Sequence, residues 1–394
     1  MKMFSLWAYV FAHLLFRALR SPAWGWRALI EAVRIVRQDG WQGARMHLLG
    51  VYLPANYLLK TRLLMRAPSS SVYPKLGPLL PDGFFSKALR PSDEGISEPV
   101  RILVIRSGAM GDVILATPVI RKLYEDRRGH CRIDVATRHG DVFSGNPHVA
   151  GIVAPKALRH LRVAYDLVLD LDMALERNKS LHITDAYALY AFGLQPFDKR
   201  PELFSGAGDA DKVRTLMAQF RNGYVVAHNR VDPGQPYRHV PVDSWKRLLE
   251  GIVAEHRIPV LQVGSLGGDV ALEGDALLLD YRDRFSLQEL KEVIAGARLF
   301  VGTDAGPLHV AACTDTPIVS FFTLAHHDTR QPLRRQGAFV PVVPGIECYG
   351  CVREYPLPWG FKCRRGDNAC VTTFDMDSAK NACDRLLGSG SVTP

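Results

Sequence analysis

Beyond residue 100 the chain alternates short apolar runs with stretches whose apolar positions recur at helical spacing. Residues 101–105 (Arg-Ile-Leu-Val-Ile), 132–136 and 167–171 read as buried strands, whereas 113–124 and 181–192 carry helical periodicity. A second series opens with the strand 224–228, followed by a helix over 244–255 and a strand over 259–263. The strand 276–279, a helix over 287–297, the strand 299–301, a helix from Pro307 and the strand 318–322 complete it. Strands alternating with helices of this length form parallel sheets with covering helices. The break near 204–222 predicts an α/β chain with two Rossmann-like domains facing a cleft, over 100–222 and 223–345.

The pattern before residue 100 is different. Trp7, Val10, Phe11, Leu14 and Leu15 recur at helical spacing, and Arg17, Arg20, Arg27, Arg34 and Arg37 supply a polar side. Residues 1–66 therefore predict a basic amphipathic helical extension. Its longest uncharged run, 3–16, falls short of the roughly 20 apolar residues that cross a bilayer. No small-residue cleavage site follows it, which argues against a secretory signal. Residues 67–99, with Pro68, three consecutive serines, Pro74, Pro78, Pro81 and Pro91, predict a linker. Residues 346–394 form a Cys-rich segment and a C-terminal helix.

Charge sharpens this division. Of the 49 Lys and Arg residues, ten lie in 1–66 against two acids, so most of the net +9 sits in that segment, together with four of the six tryptophans. A basic, Trp-rich helix suits the headgroup region of an anionic leaflet, which places the chain in the cytoplasm, peripheral on the inner membrane. Packing of these helices on the body or on a second subunit is the alternative. The near-neutral remainder argues against nucleic acid as a partner.

Candidate chemistry concentrates at two strand-to-helix turns. In Arg298-Leu-Phe-Val-Gly-Thr303-Asp304-Ala305-Gly306-Pro307-Leu308-His309, an acid, a glycine and a helix-starting proline follow a strand. Free N–H groups of a first helical turn favour an anion, and Gly306 permits close approach of a ligand to the backbone. An ordinary turn would show the same residues. The loop Arg106-Ser107-Gly108-Ala109-Met110-Gly111-Asp112 is neither a dinucleotide fingerprint nor a phosphate-binding loop ending in Gly-Lys-Ser/Thr, which disfavours hydride transfer. Asp112 at the helix start is either a cap or a cleft-facing carboxylate held ionised by the helix N–H groups.

Five of the seven cysteines follow Glu347: Cys348-x2-Cys351-x11-Cys363-x6-Cys370, then Cys383. The first four could hold zinc or iron as a structural site, or stay unligated. His326-His327-Asp328 also suggests a metal, but its place after a strand favours a solvated polar loop.

The segments 102–118 and 300–312 together resemble the signatures of the family 9 glycosyltransferases, the ADP-heptose:lipopolysaccharide heptosyltransferases and their relatives. The resemblance covers about residues 100–385. It implies a GT-B fold and inverting transfer of a heptose or related sugar, without a catalytic metal. The donor would be a nucleotide-sugar, ADP-heptose foremost, and the acceptor a lipopolysaccharide core or other membrane-associated glycan. It further implies that Asp112 is the general base, with Ser107, Gly108, Met110 and Gly111 as the acceptor-side loop. Asn229, Arg230, Arg238, Thr303, Asp304, Ala305, Gly306, Leu308 and His309 would bind the donor. Arg238 stands where relatives often carry lysine, and Ala305 where many carry Ser or Thr. The family also includes autotransporter heptosyltransferases with an iron-bound cysteine finger, so protein O-heptosylation is an alternative. A non-catalytic nucleotide-sugar-binding relative is a third.

Overall fold

The computed structural model describes residues 99–388 apart from 156–164, 166, 173, 179, 193–195, 231–235, 268, 272–273, 335, 352–362 and 364. The expected N-terminal extension, all but the last residue of the linker, and the chain end lie outside the described residues. The chain divides into two compact units. One comprises the segment ending at Ser107 with Arg127–Arg138 and Ala150–Met173, and the other comprises Gly108–Asp126, His139–Val149 and everything from Ala174 onward. Each unit is built on an all-parallel sheet.

The first unit holds β1 (Val100–Ile105), β2 (Cys131–Ala136), β3 (Gly151–Val153) and β4 (Leu167–Asp170), in the order β3-β2-β1-β4. Ile105 pairs in register with Ala136 and Asp170, so the three carboxyl ends finish level. Leu103, Ile105 and Ala136 form an apolar patch with Val153, Tyr165 and Val168. Just past β1, Asp172 Oδ1 accepts from Arg106 Nη1 at 2.9 Å and from the Ser107 N–H at 2.7 Å, and Arg138 Nη2 donates to the Ser107 carbonyl at 3.0 Å. The Arg106–Asp172 pair is buried, so loss of either partner would strand a charge away from water.

The second unit begins with α1 (Met110–Ile114) and α2 (Thr117–Asp126), where the periodicity predicts one helix over 113–124. The break has a plain cause. Pro118 has no N–H to donate, so the ladder restarts there, and Thr117 Oγ1 caps the Ile114 carbonyl at 2.7 Å while accepting from the Glu202 N–H at 3.0 Å. Next come α3 (Ala174–Arg177), α4 (Ile183–Ala191) and α5 (Ala207–Met217). The sheet is formed by β5 (Val225–His228), β6 (Val260–Gln262), β7 (Leu278–Asp280), β8 (Leu299–Thr303), β9 (Ile318–Phe321) and β10 (Phe339–Val342), in the order β10-β9-β8-β5-β6-β7. Between these strands run α6 (Val242–His256), α7 (Leu287–Ala295) and α8 (Gly306–Ala311), and α9 (Met376–Gly388) closes the chain.

Apolar runs in β5, β8 and β9 are buried throughout, as a parallel sheet with both faces covered requires. Trp245, Leu249 and Ile252 of α6 join Ala379, Ala382 and Cys383 of α9 in one core with Val225, Val301 and Phe321. Trp245 meets Phe321 edge-on with centroids 5.3 Å apart. The helix α7 starts on a reciprocal cap, Ser286 accepting from the Glu289 N–H at 3.2 Å and Glu289 from the Ser286 N–H at 2.8 Å. Among the described residues no helix is long and apolar enough to cross a membrane.

Candidate active site

The carboxyl edge of a parallel sheet is where α/β folds bind ligands, and the second unit gathers its polar groups there. β5 ends at His228 and β8 at Thr303, and the two ends are tied where the Arg230 N–H donates to Thr303 Oγ1 at 3.2 Å. Asn229 is buried, its Nδ2 donating to the Val240 carbonyl at 2.9 Å, and its Oδ1 has no protein partner. The turn Pro236–Arg238 then brings Arg238 back, with Nη2 donating to the Asp304 carbonyl at 2.8 Å and lying 3.9 Å from Asp304 Oδ2.

Asp304 is the centre of this cluster. Arg330, which sequence reasoning missed, sets its Nε 3.6 Å from the same Oδ2, and His309 Nε2 lies 3.9 Å from Oδ1. Burial pushes the Arg238 pKa below its usual value, Asp304 opposes that shift, and Arg330 and Arg230 deepen it. Three guanidiniums thus share a confined space. Burial likewise lowers His309, against the pull of Asp304 and Asp112, so the imidazole stays neutral. The only signal for Arg330 in the sequence is a basic residue shortly after a strand end, which is too common to single out.

Helix α8 is six residues long, capped by the extended Ala305 without a side-chain bond, and Pro307 is its second residue, not its first. So short a helix has a weak dipole, and the arginines carry more of the positive field than its N-terminus. Leu308 is fully buried and its N–H is spent on the Ala305 carbonyl, so its side chain packs and does not line the site.

The start of α1 lies directly against α8. A Cβ on Gly111 would stand 2.3 Å from His309 Cδ2, and one on Gly306 would stand 2.5 Å from Met110 Cε. At Gly111 the obstacle is the packed His309 ring, so glycine is what lets the two helix starts meet, whereas at Gly306 it is the flexible end of Met110. Asp112, half-buried in the first turn of α1, is close enough for its charge to raise the pKa of both His309 and Arg238. The two sequence motifs, nearly 200 residues apart, therefore converge on one cluster in the second unit. Ser107 is held in the first unit as described above.

A cavity of about 610 Å³, the size that small-molecule sites commonly have, opens beside this cluster. Gly111, Arg230 and Gly306 bound it on the cluster side, and His228, Tyr281 and Asp283 on the other. Phe285 lines it too, and its ring stacks on Tyr281 at 5.6 Å and 2°. His228 Nε2 is 3.4 Å from Asp269 Oδ2, which also accepts from the Ser265 N–H at 2.8 Å. These lining residues follow the ends of β5, β6 and β7, so the sheet-edge rule alone could have located them.

The cysteines lie elsewhere in this unit. Cys348 is exposed, and Cys351, Cys363 and Cys370 are partly buried. Burial pushes the Cys370 thiol up to about 12, and the charges of Cys351, Cys363 and Cys348 add to that shift, so the four share one neighbourhood. At Cys363 burial is outweighed by N–H groups from Asn368, Arg365, Gly366 and Asp367, which lower the thiol. No three of these sulfurs approach within 4.8 Å of one another.

The second unit is thus a parallel α/β architecture with a carboxylate set among arginines beside a ligand-sized cavity at the sheet edge. The sequence profile of glycosyltransferase family 9 (heptosyltransferase) matches residues 282–354, which include Asp304, His309 and Arg330. Lipopolysaccharide heptosyltransferase 1 of Pseudomonas aeruginosa is 26% identical over 287 residues, covering 57% of this chain and 78% of that protein. Among solved structures, the glycosyl transferase family 9 protein from Veillonella parvula superposes with a TM-score of 0.57 at 14% identity, covering 74% of this chain and 98% of the other. The iron-containing dodecameric glycosyltransferase TibC from enterotoxigenic E. coli gives a TM-score of 0.54 at 13% identity, covering 74% of this chain and 77% of the other. The chain is thus similar in sequence to the heptosyltransferases of glycosyltransferase family 9 and shares their fold.

Proposed function

We propose that the protein transfers a heptose or a related sugar from a nucleotide-sugar, ADP-heptose foremost, to a lipopolysaccharide-core or other membrane-associated glycan, with inversion at the anomeric carbon. The observation that carries this reading is Arg238 and Arg330 set against Asp304, with Arg230 and Asp112 close to Arg238 and a nucleoside-sized cavity adjoining. The cavity suits a base and ribose, with the Tyr281–Phe285 stack as an aromatic wall. The diphosphate then falls to the arginines, which can hold its oxygens bidentately. Asp304 is left to orient the sugar hydroxyls.

In the transfer, an acceptor hydroxyl oxygen forms a bond to the anomeric carbon as that carbon's bond to the diphosphate breaks. The hydroxyl proton passes to Asp112, and the electron pair leaves with the diphosphate, where the guanidiniums compensate its charge. A carboxylate is a weak base, so the proton moves late, once attack has made the hydroxyl acidic. The basic 1–66 segment would hold the enzyme at an anionic leaflet where the acceptor resides. A structural zinc or iron held by Cys348, Cys351, Cys363 and Cys370 would require these sulfurs, no three of which lie within 4.8 Å of one another, to draw together. The cysteine quartet also favours a second reading, in which the acceptor is a protein serine.

The test is calorimetric titration of the full chain with ADP-heptose, ADP-glucose and UDP-sugars, paired with turnover of Asp112→Asn. ADP-heptose should bind far more tightly than the others. Asp112→Asn should lose about 100-fold or more in turnover with donor affinity kept. Loss of donor binding with unaltered turnover at saturation would overturn the assignment of Asp112, and binding by no nucleotide-sugar would overturn the whole reading.

A further inference from the structure

The amino end of α4 is bonded to elements that carry both halves of the cluster. His182 is buried at its N-cap, with Nδ1 accepting from the Thr184 N–H at 3.1 Å and Nε2 lying 3.0 Å from the Gln331 carbonyl. The first partner can only donate and the second can only accept, so together they fix the tautomer with its proton on Nε2. Two residues on, Thr184 Oγ1 donates to the Leu115 carbonyl at 3.2 Å, at the carboxyl end of α1. Thr184 is fully buried, as are Ile183, Ala186 and Tyr187 of the same helix. The start of α4 is thus a fixed point in the core. It bonds on one side to the helix that carries Asp112 and on the other to the residue after Arg330.

Arg330 depends on its backbone for its aim. Its Nε is buried without a hydrogen-bond partner and stands 3.6 Å from Asp304 Oδ2, too far for the ion pair alone to lock a planar guanidinium. Within the turn, the Arg330 and Gln331 N–H groups donate to the His327 carbonyl at 2.8 and 2.7 Å, and Thr329 Oγ1 donates to the His326 carbonyl at 2.8 Å. Such local bonds set the shape of the turn but not its place beside Asp304. Bonds from distant segments add that. At the amino end the His327 N–H donates to Tyr349 Oη at 2.8 Å, and at the carboxyl end Gln331 is tied to His182, 149 residues away in the chain.

We propose that His182 is a positioning residue for the anion seat, its Nε2–H bond to the Gln331 carbonyl holding the backbone of Arg330 so that the guanidinium stays beside Asp304. Such a role rests on the reading of Arg238 and Arg330 as the seat of a nucleotide diphosphate, and it adds a residue outside that seat on which the seat depends. The ring suits the task. Burial lowers its pKa to about 4, so it braces the turn as a neutral group and adds no cation to the arginines it serves. Because Thr184 bonds to α1 from the same helix start, one rigid element braces both the arginine-bearing turn and the helix of Asp112.

The test separates the two ring nitrogens. Asn places an oxygen near the position of Nδ1 and keeps the cap, whereas Gln places an amide N–H near that of Nε2 and keeps the bridge. Calorimetry on the full chain at about pH 7.5, where His182 is neutral, uses ADP and adenosine as probes. His182→Asn should bind ADP about 10-fold more weakly than wild type, no more than removal of Arg330 itself costs, with adenosine affinity unchanged. His182→Gln should recover most of the ADP affinity. In an Arg330→Ala background His182→Asn should cost nothing further, since no guanidinium is left to aim. A general loosening of the fold would weaken ADP and adenosine together and would add its cost to that of Arg330→Ala. Either of those results, equal ADP affinity in wild type and His182→Asn, or a loss in His182→Gln as large as in His182→Asn would overturn the role of His182 and leave the seat standing. ADP binding by no form of the protein would overturn the seat and this role with it.

Discussion

His182 gives a stability prediction whose sign and size both follow from its surroundings. It caps α4, its Nδ1 accepting from the Thr184 N–H at 3.1 Å while Nε2–H donates to the Gln331 carbonyl at 3.0 Å. Both nitrogens are committed to the neutral ring, so protonating Nδ1 would set a proton against the Thr184 N–H. Burial lowers the pKa to about 4, the Gln331 carbonyl and Asp185 opposing and His309 and Lys199 adding to the shift. In the unfolded chain the pKa returns to about 6.5. Between these values the unfolded state takes up a proton that the folded state refuses, so stability is full above about pH 6.5 and falls with pH until about 4. Going from pH 7 to pH 5, this one residue costs the fold about 2 kcal/mol, out of a limit near 3 kcal/mol at lower pH. Urea unfolding of wild type and His182→Asn at the two pH values measures it, since Asn keeps an oxygen for the cap and cannot titrate. Any fixed cost of the substitution cancels in the comparison, as does the contribution of His309, present in both proteins. Wild type should lose about 2 kcal/mol more than the variant. An equal decline in both would refute the assignment of a buried neutral imidazole.

Two further perturbations probe the site. Arg330→Ala should weaken binding of a nucleotide diphosphate about 10- to 100-fold by calorimetry, the worth of a charge-assisted contact, and Arg330→Lys should recover only part of that. Undiminished affinity in Arg330→Ala would remove the residue from the anion seat. Gly111→Ala forces a methyl into His309, and overpacking of about 1–3 kcal/mol exceeds the gain of up to about 1 kcal/mol from helix propensity, so the midpoint of unfolding should fall and donor affinity with it. An unchanged midpoint would show that the two helix starts are not in contact.

The alternation of strand and helix was readable because both sheets are buried on both faces, which leaves continuous apolar runs at β1, β5, β8 and β9. Elements with few buried residues were not readable. Helix α5 buries only Val213 and Met217 along its length, too few to show a period. Strand β10 contains Pro341, which sequence rules discount, yet β10 is the edge strand, where a missing donor is tolerated. The site divides in the same way. Asp112 and Asp304 stand in distinctive turns and could be named from the chain, whereas Arg330 acquires meaning only when the fold sets it against Asp304. The solvated loop expected at 326–328 is a compact hydrogen-bonded turn, because Tyr349 arrives from a distant segment to order it.

The charge balance around Asp304 constrains how any ligand is used. Arg238 and Arg330 face Asp304, the charge of Arg230 reaches Arg238, and His309 contributes no charge because burial keeps it neutral. A fourth cation there would weaken the hold of Asp304 on its arginines and shield Asp112 from an acceptor proton. With the imidazole neutral, the attraction for an anionic ligand rests on the arginines and strengthens as the ligand's charge grows toward Arg238 and Arg330. In the proposed transfer the leaving diphosphate gains charge along the reaction, so the same arginines hold the transition state more tightly than the ground state. A neutral His309 packed on Gly111 is thus consistent with the proposed catalysis as well as with folding.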